Sequence, residues 1–196
     1  MCVLKGYFIQ YKFILPSSIK HSSYTYQKLF RAIYGYTQAV YKSSGKKYHY
    51  HREGLLSNIP HIRSGKNCVT IPKTTLQLLT KFFQTGANPT HKWQTKGDWK
   101  AVYYMDEKGL NMQDLIKSVE DWLKRTTIKL SKSKISLYDL VYTESDAYYA
   151  ELIKEDIAII LSELKKITDD AWFQEALQNS PKLQKIKDLA KKLSSN

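Results

Sequence analysis

The net positive charge of this chain is confined to its first half, which few compact folds tolerate. Residues 1–100 hold sixteen lysines and arginines against two acids, Glu53 and Asp98, a net +14. Residues 101–196 hold fifteen bases and sixteen acids, a net −1. A folded segment at that charge repels itself, and polyanions neutralise it: nucleic acid first, an anionic membrane second. Nine of the fifteen tyrosines lie between Tyr7 and Tyr50, interleaved with lysine. Lysine with tyrosine and scarce carboxylate is the composition of a surface that holds phosphates and stacks bases. Lysine outnumbers arginine 27 to 4. That leaves few agents for bidentate guanine readout, so the binding expected is charge-driven with weak sequence preference.

A hydrophobic content of 42% is enough for a core, and the lack of a long apolar run argues against a membrane span; nucleic acid, not a membrane, is the partner expected. The opening MCVLKGYFIQYKFILP is interrupted by Lys5 and Lys12, so it reads as strand rather than leader. Two cysteines, Cys2 and Cys68, make no disulfide framework. A reducing cytoplasm is the expected compartment.

Along the chain, Val3–Leu15 reads as a strand ended by Pro16. Ser22 or Ser23 caps a helix expected to run to about Tyr41, with Lys28, Arg31, Gln38 and Lys42 forming a basic stripe and Gly35 a weak point. Lys46–Arg52 is expected as a strand, with a turn at Glu53-Gly54, and further extended segments follow at 59–63 and 67–71. A helix is expected over 74–83, stopped by Gly86, then a strand over 99–105 and a turn over 106–109. Asn111 caps the most regular amphipathic helix, 111–125. Ser131-Lys-Ser-Lys134 reads as a polar hinge. A helix over 146–167 places Ala150, Ile153, Ile157, Ile160, Leu164 and Ile167 at heptad spacing, a shorter helix covers 169–178, and Ser180-Pro181 opens the last one.

Lys46-Lys47-Tyr48-His49-Tyr50-His51-Arg52-Glu53 is the most loaded segment. As a strand it places Tyr48, Tyr50 and Arg52 on one face, a platform for unpaired bases, and His49, His51 and Glu53 on the other. Tyrosine is also a favoured residue of half-buried strands, which is the structural alternative. The second face offers two histidines and a carboxylate to a divalent metal. It resembles the His-hydrophobe-His signature of HUH nucleases, and Tyr138 and Tyr142 have the YxxxY spacing of their nucleophiles. That resemblance implies a metal-dependent DNA-nicking enzyme. In that family the pair lies in an apolar central strand, whereas Lys47 and Arg52 flank it here.

Other motifs carry less. Arg63-Ser-Gly-Lys66 lacks the glycine and hydroxyl of a phosphate loop, because Pro60 and Asn67 stand where those belong. It reads as a basic turn. Lys92-Trp93 and Lys96-Gly-Asp-Trp99-Lys100 place two indoles among lysines, for stacking or for core. The helix over 74–83 is half of a helix-turn-helix, but the following helix is too nearly neutral for a recognition helix. Paired-carboxylate chemistry has almost no raw material in the basic half.

The expected fold is α+β. Residues 1–130 form a basic module with a mainly antiparallel sheet and packed helices, and 131–196 form a helical segment for packing or oligomerisation. The expected function is non-catalytic binding of single-stranded DNA or RNA. Lys28, Arg31, Lys42, Lys46, Lys47, Arg52, Arg63, Lys66, Lys73, Lys92, Lys96 and Lys100 would meet phosphates, and Tyr48, Tyr50, Trp93 and Trp99 would stack, with no cofactor or metal required. Ile153, Ile157, Ile160, Leu164 and Ile167 are the candidate self-association seam. The HUH-like enzyme, and a protein-interaction subunit of a ribonucleoprotein, are the alternatives.

Overall fold

The computed structural model describes residues 4–43, 45–87 and 98–195. The fold is α+β, and the chain divides into two compact units, 6–108 and 1–5 with 109–196. The first carries sixteen bases and four acids; the second carries fifteen bases and fourteen acids.

In the first unit, strand β1 (Lys5–Ile14) turns Ile9, Tyr11 and Phe13 inward and exposes Gln10, Lys12 and Ile14, the period-2 pattern of a strand with one buried face. Ser23 caps helix α1 (Tyr24–Tyr34) by accepting from the Tyr26 amide, and Leu29, Ala32 and Ile33 bury its inner face. The chain then forms a hairpin of strands β2 (Tyr36–Tyr41) and β3 (Lys47–Arg52). Strands β4 (Ile62–Gly65) and β5 (Cys68–Ile71), helix α2 (Leu76–Thr85, entered through a 3-10 turn) and strand β6 (Lys100–Gly109) complete the unit. The sheet order is β4-β5-β1-β6, with β4, β5 and β1 paired antiparallel. Apart from the inserted hairpin the element order is β-α-β-β-α-β, the split βαβ arrangement. Leu79, Phe82 and Phe83 of α2 close the core against Leu29, Ile33, Val69 and Ile71.

Helix α1 is shorter than its periodicity predicts. Gly35 takes φ 73° and ψ 179°, which no helix continues. It does so because Gly54 crosses it: a Cβ on Gly54 would lie 2.2 Å from the Gly35 nitrogen. The backbone of α1 is then used by the returning chain, with the Leu55 amide donating to Ala32 O (2.9 Å) and the Leu56 amide to Ile33 O (2.8 Å). Gln38 and Lys42 therefore leave the helix for the hairpin, and the basic stripe on α1 reduces to Lys28 and Arg31. Strand β6 also runs through 106–109, where a turn is expected.

The second unit is helical with one small hairpin. Asn111 caps helix α3 (Met112–Arg125) through two amides, at 2.9 and 3.3 Å, and Leu115, Val119, Trp122 and Leu123 are buried. Strands β7 (Thr127–Lys129) and β8 (Lys134–Ser136) follow, then helices α4 (Leu137–Tyr142), α5 (Asp146–Ala150), α6 (Lys154–Thr168), α7 (Ala171–Gln178) and α8 (Pro181–Ser194). Helix α3 packs on α4 and α7, and α6 packs on α7 and α8. The expected hinge at 131–134 is the turn of the β7–β8 hairpin, pinned where Ser131 donates its amide (2.8 Å) and hydroxyl (2.6 Å) to buried Asp156. The division between units thus falls ahead of α3 rather than after residue 130, because the apolar stripe of α3 is buried on helices.

The long helix expected over 146–167 is broken: Ile153 is extended between α5 and α6. Tyr149 turns inward there, and its hydroxyl donates to Leu140 O. Of the expected seam, Ile160, Leu164 and Ile167 are buried within the unit, Ile157 is half-buried and Ile153 is exposed. Three of its five members therefore have no surface to offer a second copy. Among the described residues no helix is long and apolar enough to cross a membrane.

Candidate nucleic-acid interface

The hairpin β2–β3 has a regular register, Tyr36 opposite Arg52 through Tyr41 opposite Lys47. Directly opposed residues share a face, so Tyr36, Gln38, Val40, Tyr48, Tyr50 and Arg52 lie on one side. Thr37, Ala39, Tyr41, Lys47, His49 and His51 lie on the other. Every residue of β3 is exposed, including Tyr48 and Tyr50. Residues 36–52 carry Lys42, Lys46, Lys47 and Arg52 and no acid. Cations cover the rings: Lys42 Nζ lies 4.8 Å from the Tyr48 centroid, Lys47 Nζ 5.6 Å from Tyr41, and the Arg31 guanidinium 4.7 Å from Tyr36.

A second basic feature lies beside α1. Two adjoining cavities, about 540 and 430 Å³, share Tyr11, His21, Tyr26, Lys66 and Asn67 as lining. Gln10, Lys12, Val102, Tyr103 and Tyr104 complete the larger, and Gln27, Phe30, Arg31 and Arg63 the smaller. Among the described residues no carboxylate lines either. The β4–β5 turn delivers Lys66 through Gly65 (φ 143°) and Asn67 (φ 62°), both left-handed. Arg63 sits 4.2 Å over the Tyr34 ring. The Tyr11 hydroxyl donates to Tyr34 Oη at 3.0 Å, and burial pushes both phenols above their ordinary pKa.

The fold therefore gathers Arg31, Arg63 and Lys66 at one cavity, and Lys42, Lys46, Lys47, Tyr48, Tyr50 and Arg52 on the hairpin. Arg31 belongs to both, touching Tyr36 at the base of the hairpin. Lys28, Lys73 and Lys100 lie outside both groups. Trp99 is not a surface platform: its ring packs edge-on to Phe13 at 5.5 Å and against Phe82 at 5.7 Å. Lys92, Trp93 and Lys96 lie outside the described residues. Sequence reasoning missed His21, Lys12 and Tyr26. The signal available was that His21 and Tyr26 flank the start of a helix free of acids.

The metal-dependent alternative finds no support in the geometry. Among the described residues strand β3 pairs with β2 alone, in a sheet distinct from the four-stranded one. Among the described residues no three His, Cys, Asp or Glu side chains group to hold an ion, so His49, His51 and Glu53 do not converge. Tyr142 donates its hydroxyl to Lys182 O, and burial raises its pKa to about 12, which disfavours the phenolate a nucleophile needs. Comparison of the chain with known protein families, with curated proteins and with solved structures finds no match.

Proposed function

We propose that the 6–108 unit binds single-stranded DNA or RNA through the β2–β3 hairpin, with little sequence preference and without a chemical step. The hairpin carries this reading: a two-stranded ribbon with four bases, no acid, an exposed β3 and tyrosine rings capped by cations. Such ribbons are marginal on their own, and a strand laid along this one supplies what it lacks. An arriving base displaces the ammonium from a tyrosine face, and the freed lysine meets the neighbouring phosphate. The exchange gives up a cation–π contact of about 0.5–1 kcal/mol and gains stacking of about 1–3 kcal/mol, so stacking prevails. Duplexes hide their base faces and gain only the phosphate contacts.

The test is fluorescence anisotropy with labelled single and double strands of DNA and RNA. Single strands bind tighter than duplexes, and Tyr48→Ala with Tyr50→Ala weakens strand binding by about tenfold or more while sparing the duplex. Equal affinity for duplex and strand, or indifference to the tyrosine substitutions, contradicts the reading.

A further inference from the structure

We propose that the smaller cavity, between α1 and the β4–β5 turn, is a nucleotide pocket: Arg31, Arg63 and Lys66 clamp a phosphate, and the half-buried Tyr26 and Phe30 receive the base, with buried Tyr11 behind them. The inference depends on the strand-binding reading only for the polymer to which the nucleotide belongs. The pocket shares Arg31 with the base of the hairpin, and its other lining residues lie outside the hairpin.

Two of the chain's four arginines line this one cavity. Both guanidiniums are already oriented. Arg63 lies over the Tyr34 ring at 4.2 Å; Arg31 lies over Tyr36 at 4.7 Å and Tyr24 at 5.5 Å, and donates to Gln27 Oε1 at 3.2 Å. A guanidinium stacked on a ring still carries in-plane N–H groups beyond the one Arg31 gives to Gln27, and such groups grip phosphate oxygens in pairs. Among the described residues neither arginine nor Lys66 has a carboxylate partner, so an anion entering the cavity displaces none. A simple phosphate site needs no aromatic floor, yet Phe30 lies 5.1 Å from Tyr26 and 6.1 Å from Tyr11. Tyr26 already meets a second ring, His21, at 4.6 Å and a tilt of 39°. A volume of about 430 Å³ suits one nucleotide and not a duplex.

The test titrates the full chain with adenosine 5′-monophosphate and with adenosine by calorimetry at low salt, then uses the monophosphate to displace a labelled oligonucleotide. The monophosphate binds saturably, about tenfold or more tighter than adenosine, since charge-assisted hydrogen bonds to the phosphate carry the difference. Arg31→Gln, Arg63→Gln and the exposed turn variant Lys66→Gln each weaken it, whereas Lys154→Gln in the other unit does not. A monophosphate that binds no tighter than adenosine, or is indifferent to all three substitutions, overturns the pocket. Oligonucleotide binding without monophosphate binding overturns the pocket and leaves the hairpin reading intact. Monophosphate binding without oligonucleotide binding supports the pocket and refutes strand binding.

Discussion

The hairpin leaves α1 where Gly54 crosses Gly35, and substitution there has a cost that the packing sets. In Gly54→Ala the new methyl group lies 2.2 Å from the Gly35 nitrogen, 2.7 Å from Ile33 O and 2.8 Å from Ile33 C, all backbone. No side chain can swing aside, so the crossing must open by at least about 1.2 Å to reach ordinary contact distance. Opening it strains the Leu55 and Leu56 amides from their acceptors on α1 and the Gly54 amide from Ser57 Oγ (2.8 Å). Overpacking of this kind costs about 1–3 kcal/mol, and each strained buried hydrogen bond adds about 1 kcal/mol. With all three bonds strained, a total of about 4–6 kcal/mol is expected. Gly45→Ala is the control: nothing lies within 4 Å, and only its φ of 73° resists, at about 1–2 kcal/mol. Urea unfolding of both variants by circular dichroism measures the difference, and anisotropy shows whether strand affinity falls with the anchor. A Gly54→Ala variant as stable as Gly45→Ala refutes the anchoring of the hairpin through this contact.

Two further outcomes follow from burial. Folded Tyr11 and Tyr34 hold their protons above the ordinary value of 10.0, mainly through desolvation. The folded state then binds protons that the unfolded chain releases, so their contribution is flat up to about pH 10 and falls above it. Urea midpoints from pH 8 to 11 fall less steeply in Tyr11→Phe than in the natural chain; parallel curves contradict this. In the helical unit, Leu164→Ala costs about 2–5 kcal/mol by thermal unfolding, because Leu164 is fully buried, and Ile153→Ala costs under about 0.5 kcal/mol. Equal costs would mean that the heptad spacing is used between copies instead.

Periodicity and caps located most elements. The alternation in β1, the Asn111 cap of α3 and the Ser180-Pro181 start of α8 are local signals, and each element formed where its signal lies. What local pattern missed depends on contacts between distant residues. Apolar spacing through Val40 mimics a continuing helix, and only the approach of Gly54 turns Gly35 into a stop. Ser131–Lys134 looks like a hinge until Asp156, 25 residues on, captures Ser131. Trp99 was misplaced although its alternation with Ala101 and Tyr103, all packed on the core, was there to read. The smaller cavity draws Tyr11, Tyr26, Arg31, Arg63 and Lys66 from three separate segments, so no window of sequence contains it. The hairpin face of Tyr48, Tyr50 and Arg52 is the opposite case, since strand alternation alone defines it.

The salt dependence of single-strand affinity, compared between the natural chain and the Lys42→Gln, Lys46→Gln, Lys47→Gln and Arg52→Gln combination, tests the central claim most directly. Each phosphate contact on a single strand contributes about 0.7 to the log–log slope, so the fourfold variant should lose roughly 3 from it. Weaker binding with that loss of slope places the strand on the hairpin. An unchanged slope and affinity would mean that the strand, if bound, never meets it.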